Sequence, residues 1–139
     1  MAHEKSPGTI LVVDDERQLR EVQRLMLEHK GFSVLTASDG IEAIDLYREH
    51  ENEIVCVLLD LMMPRMGGEE TYAELRRIRE DVPVILMSGY SDDDLSDRFR
   101  DTGLVGILKK PCRSQALFEK IRSVVAAEER IASSRAQVS

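Results

Sequence analysis

Ile54-Val55-Cys56-Val57-Leu58-Leu59-Asp60 holds six apolar residues in a row and ends on a carboxylate. No polar residue alternates along it, so both faces of the segment want burial. A run this short and this continuous fits a strand of a parallel sheet covered by helices on both sides. Four more runs have a similar character: Thr9–Val13, Ser33–Ala37, Pro83–Ser88 and Val105–Lys109. Segments with helical spacing lie between them. Leu19, Val22, Leu25 and Met26 form a stripe in the first. Ala43, Ile44 and Tyr47 form one in the second, Thr71, Leu75 and Ile78 in the third, and Leu117, Ile121, Val124 and Val125 in the last. The segment Asp92–Asp101 is polar, with Leu95 and Phe99 as its anchors, and is expected as a loosely held fourth helix.

Punctuation supports this parse. Gly31 and Gly103 stand where helices stop, Ser38 or Asp39 can cap the second helix, and Pro83 can open a strand. The pattern predicts an α/β domain of the (βα)5 type, an open parallel sheet with helices on both faces. The 139 residues suit one domain that can bury about two-thirds of its unfolded surface. Residues 1–8 are expected as a flexible lead, 9–126 as the domain, and 127–139 as the end of the last helix followed by a flexible tail.

Composition narrows the function. A net charge of −7 argues against direct nucleic-acid binding. The opening MAHEKSPG lacks a signal peptide's apolar stretch, and no apolar run approaches the length of a membrane span. A cytoplasmic location with no membrane partner is expected. Cys56 reads as a small buried hydrophobe, and no disulfide to Cys112 is expected. His3, His29 and His50 are scattered without zinc spacing.

Open α/β sheets bind ligands beyond the carboxyl ends of their strands. The first strand leads into Asp14-Asp15-Glu16, the third ends in Asp60, the fourth in Ser88-Gly89, and the fifth runs into Lys110-Pro111. Taken singly, Asp14 and Asp15 suit helix capping, Ser88 a turn and Lys110 a solvated surface. Taken together, they put three carboxylates, a hydroxyl and an ammonium at one edge. Converging carboxylates repel unless a cation relieves them, and a donor set of hard oxygens favours Mg²⁺. Asp15 and Asp60 are the expected direct ligands, Asp14 acts through water, and the carbonyl of Met62 completes the shell. Asp60 is then the candidate nucleophile for a phosphoryl group, with Lys110 and Ser88 contacting the phosphoryl oxygens.

The sequence resembles the receiver domain of two-component response regulators. The matching stretches are VVDDE (12–16), LLDLMMPRMGG (58–68), ILMSGY (85–90) and KKP (109–111), and the similarity runs from about Thr9 to Ala126. The resemblance implies a flavodoxin-like sheet with strand order 2-1-3-4-5. It makes Asp14 and Asp15 the acidic pair, Asp60 the phospho-acceptor, Ser88 the switch hydroxyl and Lys110 the lysine before the proline. It implies a sensor histidine kinase or phosphotransfer protein as phosphodonor, slow self-dephosphorylation, and an otherwise non-enzymatic signalling role. It also implies a surface of the fourth helix, fifth strand and fifth helix that meets a downstream protein or a second copy. Arg98, Lys109 and Arg113 are exposed candidates on that surface. The stretch SGYSDDDLSDRFRDTG (88–103) is similar to those of receivers at the ends of hybrid histidine kinases.

Two positions depart from the family pattern. Ile107 stands where an aromatic residue is usual, and Cys112 where phenylalanine is common. An aromatic swing at Ile107 is therefore not available, and a shift of the loop after Ser88, with Tyr90 the nearest aromatic, is expected instead. Two other readings compete. One is a receiver-fold scaffold that binds proteins without phosphorylation. The other is a haloacid-dehalogenase-type phosphatase, disfavoured because that family carries an Asp-x-Asp pattern after its first strand.

Overall fold

The computed structural model describes residues 8–61, 67–88, 105–109 and 114–138. Five strands form one parallel sheet: β1 (Thr9–Val13), β2 (Ser33–Ala37), β3 (Ile54–Asp60), β4 (Val84–Ser88) and β5 (Val105–Lys109). Their order is β2-β1-β3-β4-β5. The helices described are α1 (Arg17–His29), α2 (Gly40–Glu49), α3 (Gly68–Ile78) and α4 (Ser114–Val138). The helix expected over Asp92–Asp101 lies outside the described residues, and α4 corresponds to the expected fifth helix. The chain reverses its direction across the sheet at β1, so the carboxyl ends of β1 and β3 adjoin where a cleft is expected.

The strands carry their apolar side chains to both faces, as the unbroken runs require. Leu11, Val13, Val57, Leu59, Val84 and Leu86 meet α2 and α3 on one side. Ile10, Val12, Cys56, Leu58, Ile85 and Met87 meet α1 and α4 on the other. Leu117, Ile121 and Val124 of α4 are buried against that second face, as their spacing predicts. So are Ala43, Ile44 and Tyr47 of α2 against the first. Asp39 caps α2 by accepting from the Glu42 amide at 2.9 Å, and the Glu42 carboxylate accepts in return from the Ser38 amide at 2.7 Å. Gly31 follows α1 at φ 98, the left-handed turn that a helix-ending glycine supplies. β4 begins at Val84, not Pro83. The Pro83 carbonyl still accepts from the Val57 amide at 3.0 Å.

The face of α1 differs from the expected stripe. Val22 and Leu25 are more than half exposed, while Gln23 and Leu27 are buried. The helix is turned about one residue from the apolar reading. Gln23 tolerates burial because its side-chain amide donates to Met87 Sδ at 3.5 Å, so its polar end is not stranded among hydrocarbon.

Candidate functional site

The site lies at the carboxyl edge of the sheet, where β1 and β3 deliver their acids side by side. Parallel pairing of β1 with β3 carries Val13 against Leu59, so Asp14 and Asp60 follow as neighbours. The Asp14 amide donates to Ala37 O at 3.1 Å, which fastens the strand's exit to β2. Its Oδ1 accepts from the Glu16 amide at 2.9 Å, and its carbonyl accepts from Arg20 Nη1 at 2.8 Å. The first turn of α1 thus fixes this acid from both its backbone and its side chain. Asp14 and Asp60 are buried and Asp15 is exposed.

One carboxylate oxygen from each of Asp14, Asp15 and Asp60 lies within 4.8 Å of the others. Three like charges this close destabilise one another unless cations or protons relieve them. With oxygen donors only and one acid open to solvent, the chemistry of the set fits a hard divalent cation that retains water ligands. The sequence-based grouping of these three acids is therefore reproduced in space. Ser88 is buried at the end of β4, and its register partner on β5 is the exposed Lys109. Ile107 packs, partly buried, against the face that holds α2 and α3. Lys110, Met62, Tyr90, Arg98, Cys112 and Arg113 lie outside the described residues.

Gly68, which the sequence reading did not single out, secures the carboxyl end of β3. The Leu61 amide donates to Met87 O at 3.1 Å, and the Gly68 amide donates to Leu61 O at 3.3 Å. A Cβ on Gly68 would lie 2.5 Å from Leu61 Cα and 2.7 Å from the Asp60 carbonyl oxygen. Both are backbone atoms that cannot swing aside, so only glycine lets α3 begin this near Asp60. Paired glycines just before a helix were the available signal. Arg20 was also missed. Its place six residues after Asp14 and one turn after Glu16 puts it in reach of the Asp14 carbonyl.

A parallel sheet with helices on both faces and an acidic cluster at its carboxyl edge defines an open α/β domain with a candidate cation site. Residues 10–122 match the family described as "Response regulator receiver domain", and the chain belongs to that family, which serves two-component signalling. It is 37% identical over 121 residues to "Response regulator MprA" of Mycobacterium sp. (strain KMS), covering 86% of this chain and 51% of that protein. The chain thus spans about half the length of the curated relatives it matches. Among solved structures it resembles a response regulator receiver domain protein from Clostridium thermocellum (TM-score 0.82, 30% identity, 89% of this chain and 98% of that one). It also resembles the "CheX-CheY-BeF3-Mg+2 complex" from Borrelia burgdorferi (TM-score 0.79, 27% identity, 85% and 89% covered).

Proposed function

We propose that this domain accepts a phosphoryl group on Asp60 from a phosphohistidine of a sensor kinase or phosphotransfer protein in the cytoplasm, and signals by the resulting change of surface. The observation that carries this reading is the convergence of Asp14, Asp15 and Asp60 within 4.8 Å at the sheet edge where Ser88 also ends its strand. The family membership and a relative solved with beryllofluoride and magnesium support it.

Asp15 and Asp60 would hold Mg²⁺ directly, Asp14 through water, and the Met62 carbonyl would add a ligand. When bound, the ion neutralises charge on the acids and on the incoming phosphoryl group. An oxygen of Asp60 attacks phosphorus as the N–P bond of the donor breaks, and the leaving imidazole takes its proton from solvent. Lys110 pairs with one phosphoryl oxygen and Ser88 donates to another. Later attack by water returns Asp60 and releases inorganic phosphate. The acyl phosphate carries nearly two negative charges, about one more than the Asp60 carboxylate it replaces, at a place where three carboxylates already gather. Ser88 and its loop would be drawn toward them, and segment 92–101, β5 and α4 would present the altered face to a downstream protein or a second copy.

Incubation with acetyl phosphate and Mg²⁺ should add the mass of one phosphoryl group to the intact protein, and Asp60→Asn should remove the gain. No gain in the unaltered chain would overturn the reading and favour the scaffold. Sustained turnover of small phosphate esters would favour the phosphatase.

A further inference from the structure

We propose that the groove between α1 and α4 is a docking surface for an acidic amphipathic helix of a partner protein, at a place distinct from the phosphoryl-accepting edge. The inference stands on the groove alone and not on the chemistry of Asp60.

The groove has a volume of about 540 Å³ where Leu25, Met26 and His29 of α1 face Phe118 of α4. A second depression of about 310 Å³ adjoins it, reaching Phe32 and Arg122, and the two share Lys30 and Phe118. The Lys30 ammonium stands 5.0 Å from the centre of the Phe118 ring, which steadies the ring at the groove's middle. Leu25 is 57% exposed and so offers a large apolar contact that the fold leaves uncovered. The floor is apolar, and among the described residues the titratable side chains lining it are basic or imidazole: His29, Lys30 and Arg122. That is unusual in a chain with 26 acidic and 19 basic residues. Of the carboxylates on these two helices, Glu28 is offset by a cation, whereas Glu119 meets a neutral amide and keeps its charge. Glu28 accepts from Arg24 at 2.9 Å and Glu119 from Gln115 at 3.4 Å.

An occupant must therefore bring apolar anchors and negative charge. On α4 the lining runs from Ser114 to Arg122. Eight residues of helix rise about 12 Å, so a partner helix of about two turns fits along them. Apolar side chains at i, i+4 and i+7 would enter the groove in the usual helix-in-groove manner. Flanking carboxylates would meet Lys30 and Arg122, fixing the direction of the helix and excluding basic competitors. Lys30 lies at the far end of α1 from the acidic cluster, about 19 Å along a helix of this length. Phe32 immediately precedes β2, at the amino edge of the sheet. The middle of the groove, at Lys30 and Phe118, thus lies toward the amino edge, and its Ser114 end begins on the carboxyl side, five residues after β5.

The test uses the whole chain, labelled with ¹⁵N, and two synthetic helical peptides. Both carry leucine at i, i+4 and i+7, one flanked by glutamate and the other by lysine. The acidic peptide should give saturable shifts at Leu25, Lys30 and Phe118 and bind at least ten-fold more tightly than the basic one. Phe118→Ala should weaken it ten-fold or more. The double reversal Lys30→Glu with Arg122→Glu touches exposed charge and should invert the preference between peptides. Equal binding of both peptides, shifts elsewhere, or no inversion would overturn the proposal. So would a dimer seen by sedimentation that Phe118→Ala abolishes, because the occupant would then be a second copy. Labelling by acetyl phosphate should be unchanged in these variants. Failure of labelling in the unaltered chain would count against the phosphoryl-acceptor reading and leave the groove untouched.

Discussion

The two ends of the sheet treat carboxylates in opposite ways. At the carboxyl edge, Asp14, Asp15 and Asp60 crowd within 4.8 Å. At the other end, Arg79 stands between two acids, with Nε 2.9 Å from Asp81 and Nη2 2.9 Å from Glu128. That guanidinium ties the turn after α3 to α4, and the side chains involved are largely shielded from water. One end is electrostatically matched and serves to hold the fold. The other concentrates like charge, which costs stability unless a cation or a proton relieves it.

The sharpest way to break this contrast is Asp60→Asn. Phosphorylation should vanish entirely, while the variant without divalent ion should melt at least as high as the unaltered chain, since one like charge has gone. Addition of Mg²⁺ should raise the melting temperature of the unaltered chain, and Asp15→Asn should shrink that rise. A lower melting temperature for Asp60→Asn in chelator would show that the acids are not in conflict. Next in size is Gly68→Ala. Its methyl group has only backbone to push against, so a loss of about 1–3 kcal/mol in urea unfolding is expected together with slower phosphorylation.

Arg79→Ala should then cost about 1–2 kcal/mol by leaving Asp81 and Glu128 without their shared cation, and phosphorylation should proceed as before. A matching loss of phosphorylation would mean that the two ends are not independent. The mildest effect is alkaline. Burial pushes the Cys56 thiol up to about 12 from an ordinary 9.0. The unfolded chain therefore releases this proton first, so its contribution to stability is complete below about pH 9 and is lost as pH rises toward 12. Stability measured across that window should fall less steeply in Cys56→Ala, and the native thiol should resist alkylation at neutral pH.

Much of this architecture is written locally. The strands declare themselves as unbroken apolar runs, and the acids of the cluster each sit at a strand's exit, so topology alone brings them together. The face of α1 was misread because Val22 and Leu25 are apolar while Gln23 is not. Only the neighbouring Met87 sulfur, 64 residues away, explains why glutamine goes inside. The Arg79–Glu128 bridge spans 49 residues and leaves no periodic trace. Gly68 was visible as a glycine, but its need arises from the approach of a helix to Leu61, which is a tertiary fact.

β4 and β5 end on a shared rung, with Ser88 opposite Lys109. The serine is enclosed, whereas the lysine projects into water. A dye attached through the Lys109 amine would thus sit one backbone rung from the enclosed hydroxyl while itself reaching into water, an optical reporter on the end of β4.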